Sequence, residues 1–220
     1  MAEEFLTLMA DLDEDTQRYM STWYDKLKEA GISGVQTPGL PFHISMATFP
    51  LDKEAEAISI MRNAASKFAA VPVHISHIGM FAGGKVLFAG PERDEGLNAL
   101  HNACKSDSPQ PYPWTPHVTV MIDEQETIHE ALQILLQSFT PLMARITELH
   151  LCAFWHTREI ATVKLQGCSL FIVPFSSILH NPCKFLKLYM VLPYRLLLQH
   201  VQDASDILQE QPDLQTANRA

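Results

Sequence analysis

No stretch of the 220 residues reaches the roughly 18 uninterrupted apolar positions that a membrane-spanning helix needs, so the sequence offers no span and no membrane partner. Basic residues are also in deficit. Sixteen Lys and Arg stand against 25 Asp and Glu, a formal charge of -9, and the pI is near 5.5. A sequence-independent hold on long nucleic acid relies on many cations against phosphates, so that class of function is disfavoured, while a small anionic ligand or a short RNA end is not. The opening MAEEFLTLMADLDED is acidic where a secretory leader is basic, which leads us to expect a cytoplasmic protein. The cysteines, Cys104, Cys152, Cys168 and Cys183, form no CxxC pair and have no metal-finger spacing, the pattern of reduced thiols in a reducing compartment.

What is present is ordinary globular composition, 47% hydrophobic and 19% charged, at a length that suits one sizeable domain or two small lobes. FLTLMAD, residues 5–11, reads as a strand. The segment after it reads as a helix that Asp11 or Asp13 can cap and Gly31 can end. The turn-rich SGVQTPGLP leads into a strand, HISMATF, from residue 43. Helical spacing follows over about 53–69, then two strands, VHISHIGMF and KVLFAG, around a Gly-Gly turn. A short helix is expected to open at Pro91. The loop SDSPQPYPWTP leads into a second strand, HVTVMID, from residue 117. A helix over about 124–139 and the strands ARITELHLCAFW and EIATVKLQ complete the regular part.

The two histidine strands belong to an internal repeat. A shift of 74 residues places HISMATF on HVTVMID, VPVHISHIGMF on RITELHLCAFW and VLFAG on IATVK without a gap, and a shift of 80 places FLTLMADLDEDTQRYM on KVLFAGPERDEGLNAL. The polar exceptions in the apolar pattern, a histidine and a hydroxyl two residues later, land on each other. The repeat predicts an α+β fold: a bilobal, pseudo-two-fold domain whose lobes are antiparallel sheets with helices outside and a groove between.

In a strand, residues i and i+2 share a face. His43 therefore sits beside Ser45 and His117 beside Thr119, and each lobe would offer one imidazole and one hydroxyl to the groove. Two imidazoles suit phosphodiester chemistry, because a neutral one accepts a proton from the attacking oxygen while a protonated one gives a proton to the departing oxygen. The hydroxyls can donate to non-bridging phosphate oxygens as charge builds on them. That chemistry requires no metal or cofactor.

The motifs His43-Ile44-Ser45-Met46 and His117-Val118-Thr119-Val120 resemble the signature of the two-histidine (2H) phosphoesterases, the 2'-5' RNA ligase and cyclic phosphodiesterase group, over about residues 3–167. The resemblance implies an enzyme acting without metal on 2',3'-cyclic phosphate or 2'-5' phosphodiester bonds of nucleotides or RNA ends. It implies His43 as proton donor to the leaving oxygen, His117 as base for water, and Ser45 and Thr119 as phosphate ligands. The near symmetry leaves the assignment of acid and base open. A binding module that keeps the groove without turnover and a ligase running the chemistry in reverse are the competing functions.

The bland readings are structural histidines and ordinary strand hydroxyls. His74-Ile75-Ser76 repeats the local pattern but aligns with Glu148-Leu149-His150 under the 74-residue shift, so it is read as structure or rim. His77, His150 and His156 could line the cleft. A metal cluster of His74, His77 and His150 is disfavoured, because residues i and i+3 of a strand face opposite ways. Tyr112, Trp114, Phe81 and Trp155 could stack on a base or belong to the core. Residues 168–220, with four basic and four acidic side chains, have no counterpart in the repeat and are read as a C-terminal extension of unassigned role outside a 1–167 domain.

Overall fold

The structure is a computed structural model that describes residues 4–34, 39–105, 113–154 and 157–167. The extension from residue 168, with Tyr112, Trp155, His156 and most of the two turn-rich loops, lies outside the described residues. The elements run β1 (Phe5–Leu12), α1 (Glu14–Glu29), β2 (His43–Pro50), α2 (Glu54–Lys67), β3 (Val71–Met80), β4 (Val86–Pro91), α3 (Glu95–Cys104), β5 (Val118–Ile122), α4 (Gln125–Leu136), β6 (Leu142–Phe154) and β7 (Arg158–Lys164). The α+β class is as the sequence predicts.

Helix α1 shows why the chain folds as it does locally. Asp13 caps it, accepting from the Thr16 N–H at 3.0 Å, and Glu14 and Asp15 open it while Lys26 and Lys28 close it, in keeping with the helix dipole. Asp11 is not the cap. Thr16, Met20, Trp23 and Leu27 form its buried stripe at helical spacing. Gly31, at φ 83°, ends it in the left-handed region where glycine alone is unstrained. Helix α3 corrects the sequence reading: Pro91 closes β4, and Asp94 caps the helix by accepting from the Leu97 N–H at 2.7 Å. An aspartate supplies the missing acceptor that a proline cannot.

All seven strands are antiparallel neighbours in one sheet of order β1-β2-β5-β4-β3-β6-β7, and β6 also pairs with β1, which closes the first six into a ring. The long β6 makes this possible, pairing with β3 through Leu142–Ile146 and with β1 through Ile146–Phe154. Opposite it, β2 and β5 meet at the single pair Ile44 and Val118. Exchanging β1 with β4, β2 with β5 and β3 with β6 maps the ring onto itself. The strand sets expected of two lobes are thus hydrogen-bonded into one sheet.

The even residues of β1, Leu6, Leu8, Ala10 and Leu12, join Ile44, Val118, Val120, Leu149 and the helix stripes in the main core. On the opposite sheet face Met9, Cys152 and Phe154 form a smaller cluster against Phe5 and Leu40. Strand β1 is therefore buried on both sides, which places any polar group on its odd positions in a low-dielectric setting.

Candidate active site

His43 and Ser45 are half-buried, while Ile44 and Met46 beside them are buried in the core. His117 and Thr119 are likewise half-buried beside buried Val118 and Val120. The alternation is the one expected of a strand with one packed face. Because Ile44 pairs antiparallel with Val118, the register sets His43 against Thr119 and Ser45 against His117. All four predicted site residues are thereby brought together on the sheet face away from the main core.

A shared irregularity closes each motif at its fourth residue. The β1–β2 ladder steps from Leu8↔Ala47 to Met9↔Ser45 and leaves Met46 over, and the β4–β5 ladder steps from Leu87↔Met121 to Phe88↔Thr119 and leaves Val120 over. Met46 and Val120 are 74 residues apart, so the bulge repeats with the sequence. An extra residue lets two successive side chains, Met46–Ala47 and Val120–Met121, enter the core, and it bends the strand just past the hydroxyl. This gives a physical reason for an apolar fourth residue in each motif.

Both imidazoles are held in the same way. His43 Nδ1 lies 2.8 Å from the Pro41 carbonyl and His117 Nδ1 lies 2.8 Å from the Thr115 carbonyl. A carbonyl can only accept, so Nδ1 carries the hydrogen in each ring and Nε2 is the nitrogen that gains or loses a proton. Helix α1 fixes both strands. The Gln17 amide donates to the Phe42 carbonyl at 2.7 Å and accepts from the Phe42 N–H at 2.8 Å, and the Tyr24 hydroxyl donates to the Val120 carbonyl at 2.7 Å. Trp114 Nε1 donates to the Ser45 carbonyl at 2.8 Å, tying the approach to the second motif onto the first.

The sequence profile of the 2'-5' RNA ligase superfamily matches residues 18–154, a span that contains both motifs. The chain belongs to this superfamily. E. coli LigT in apo form is similar in fold, with a TM-score of 0.51 at 20% identity over 74% of this chain and 98% of LigT. LigT complexed with 3'-AMP gives 0.53 at 19% identity, with 74% and 98% covered. TT0787 of Thermus thermophilus gives 0.53 at 14% identity, again with 74% and 98% covered. At these identities the likeness is one of fold. No curated protein matches the chain by sequence.

Within this superfamily frame the surroundings of the two histidines differ. Burial pushes the His43 imidazole below its ordinary value; the Pro41 carbonyl and Asp11 pull it up, and His150 and His117 push it further down. Burial also pushes His117 down, opposed by the Thr115 carbonyl. His117 stands edge-on to Phe81, ring centroids 4.8 Å apart at 89°, and 5.9 Å from Phe88, while Phe81 and Phe88 lie 4.6 Å apart. Both phenyl rings are half-exposed and tilted 31° to one another, so an apolar aromatic shelf adjoins His117.

The remaining histidines fall elsewhere. His74 Nδ1 lies 3.2 Å from a Glu92 carboxylate oxygen, and the His77 ring lies over Gly90, where a Cβ would stand 1.9 Å from Nε2. His150 is buried beside Asp11 at 3.3 Å. The three are engaged separately, and no metal-holding group of His, Cys, Asp or Glu occurs among the described residues. Trp114 stacks on His101 at 3.7 Å and 5° instead of standing free for a base. Sequence reasoning missed Gln17 and Tyr24, which nothing in a helix pattern marks, and it treated Asp11 only as a candidate cap.

Proposed function

We propose that this chain is a phosphoesterase that hydrolyses 2',3'-cyclic phosphate or 2'-5' phosphodiester bonds of nucleotides or RNA ends by paired-histidine acid–base catalysis. The observation that carries the reading is the antiparallel pairing of Ile44 with Val118, which sets His43 towards Thr119 and Ser45 towards His117, with each Nδ1 anchored so that Nε2 is the working nitrogen. A phosphate held by the Ser45 and Thr119 hydroxyls would then lie between two imidazoles. His117 takes a proton from water as its oxygen bonds to phosphorus, the bond from phosphorus to the ribose oxygen breaks, and His43 gives that oxygen its proton. Each hydroxyl donor strengthens as negative charge grows on the non-bridging oxygens, which lowers the barrier more than it tightens substrate binding.

The Phe81–Phe88 shelf beside His117 suits a nucleobase attached to that phosphate. The 3'-AMP complex of LigT, a structure of the same fold, is in keeping with such a ligand. Acidic net charge favours a short nucleotide or RNA end over long nucleic acid, and a cytoplasmic location suits both the substrate and the unpaired Cys104 and Cys152. No helix among the described residues is long and apolar enough to cross a membrane.

The test is incubation of the purified chain, with EDTA present, against 2',3'-cyclic mononucleotides and a short RNA ending in a 2',3'-cyclic phosphate. Ring opening is expected from wild type, with a loss of about 100-fold or more in His43→Ala and in His117→Ala. The pH–rate profile is expected to be a bell lying to the acid side of the ordinary imidazole range, because burial pushes both rings down. Binding without product would favour the non-catalytic module, and joining of 2',3'-cyclic and 5'-hydroxyl ends would favour the ligase.

A further inference from the structure

Asp11 lies in register opposite His43 across the β1–β2 ladder, and His150 on β6 is opposite Met9, one diagonal step from Asp11. Asp11 is 4% and His150 6% exposed. His150 Nδ1 is 3.3 Å from Asp11 Oδ2, within ion-pair range, and Asp11 Oδ1 has no hydrogen-bond partner among the described residues. The other ring nitrogen of His150, Nε2, lies 3.3 Å from Cys152 Sγ.

A carboxylate buried this deeply is costly unless a cation accompanies it. Among the described residues no lysine or arginine reaches Asp11, so the cation must be an imidazole, and two are at hand: His150 in contact and His43 across the strand. We propose that Asp11 and His150 form a buried ion pair whose balance of charge sets how firmly His43 holds its proton, which makes both of them positioning residues for the first motif. This rests on the reading of His43 as the working acid.

The groups facing each ring support the arrangement. His43 is faced by Asp11 from β1, His150 from β6 and His117 from just ahead of β5; Asp11 draws a proton towards it, and the two histidines oppose this. His150 is faced by Asp11 from β1, by Glu159 from β7, and by Glu148 and Cys152 of its own strand. Asp11 pulls it up first, burial opposes this, and both glutamates assist. Burial pushes the Cys152 thiol up to about 11, with Glu159 and Asp11 assisting, so the sulfur stays protonated and accepts from Nε2–H of a charged His150. His150 therefore takes the charge first, and its positive end screens His43 from the carboxylate.

The consequence is a pair of opposed substitutions. His150→Gln removes the screening charge and leaves Asp11 with His43 as its one imidazole, so His43 should hold its proton to higher pH. Asp11→Asn removes the attraction and deprives His150 of its counter-ion, so His43 should not move up. The Asp11→Asn/His150→Gln double variant should behave like Asp11→Asn.

The experiment is a proton NMR titration of the imidazole resonances of the full chain, with thermal melts to establish folding. His150→Gln is expected to raise the His43 midpoint by about half a pH unit or more, and Asp11→Asn is expected to leave it in place or lower it. An unmoved or lowered His43 midpoint in His150→Gln overturns the proposal. Wild type alone supplies a second check should a variant not fold, since a His150 midpoint below that of His43 also overturns it. A purely structural role for the pair would alter the melts and leave the midpoints in place. Titration needs no turnover, so a chain that titrates as expected yet hydrolyses neither substrate fails only the functional reading. Where turnover occurs, His43 must be protonated to act, and the alkaline limb of kcat/KM should move up in His150→Gln.

Discussion

Acidification should loosen the protein through His101, and the size of the effect follows from the surroundings of the ring. His101 is 8% exposed and lies flat against Trp114, with Arg93 on the same indole at 5.4 Å. Burial first, then Lys105 and Arg93, push its imidazole down to about 4. The unfolded chain takes up a proton below about 6.5 while the native chain declines it until about 4, so stability present above 6.5 is lost as the pH falls through that window. A difference of two to three pH units amounts to about 3 kcal/mol by pH 4, at 1.36 kcal/mol per unit. His101→Phe keeps an aromatic ring against Trp114 and cannot titrate. Urea unfolding of both proteins at intervals from pH 7.5 to 4, with m held common, should show wild type losing about 2–3 kcal/mol relative to the variant. Carboxylates titrate alike in both and cancel. Curves that fall in parallel would refute the argument, because they would mean the native ring accepts its proton as readily as the unfolded one.

Trp114→Phe removes one donor to the Ser45 carbonyl while keeping a ring against His101, so it should cost about 1 kcal/mol and roughly 2–4 °C in Tm. A melt unchanged from wild type would show that the bond contributes nothing. Phe81→Leu removes half of the aromatic shelf beside His117 and should raise KM for a base-bearing cyclic phosphate about five-fold or more, with kcat changed far less. Equal KM values would place the base elsewhere.

The parts of this fold that were legible in the sequence are those set by local periodicity and by the repeat. The stripe Thr16, Met20, Trp23 and Leu27 announces α1, and the alternation around His43 and His117 announces two strands with one buried face. The repeat aligned the two motifs, and the structure pairs them at Ile44 and Val118. What stayed hidden depends on contacts between residues far apart in the chain. A glutamine in a helix gives no sign that its amide will hold the backbone of Phe42, 25 positions on, and Asp11 looks like a cap until β6 brings His150 against it. The bulges were half visible: each motif's hydroxyl residue is followed by two apolar residues, Met46–Ala47 and Val120–Met121, where strict alternation allows one. The Pro91 reading failed because proline suits a helix start and a strand end alike, and only the register with Ile75 decides between them.

A repeat that produces two equal half-sites poses a chemical difficulty, because hydrolysis needs an acid and a base at the same pH. Equal motifs, equal bulges and equal Nδ1 anchors would give two imidazoles with the same affinity for a proton, and the productive arrangement would be only one of several populated. The neighbours break that equality. His117 stands against the edges of Phe81 and Phe88, and nothing but the Thr115 carbonyl opposes burial there among the described residues, so its neutral form is favoured. His43 is also held below its ordinary value, burial again first, but it faces the Asp11 carboxylate, which draws a proton towards it, a pull that His117 lacks among the described residues. Different affinities on two otherwise matched rings are what a division into base and acid requires. On this reading the twofold repeat supplies the geometry, and the residues that depart from it, Asp11, His150, Phe81 and Phe88, supply the direction of proton flow.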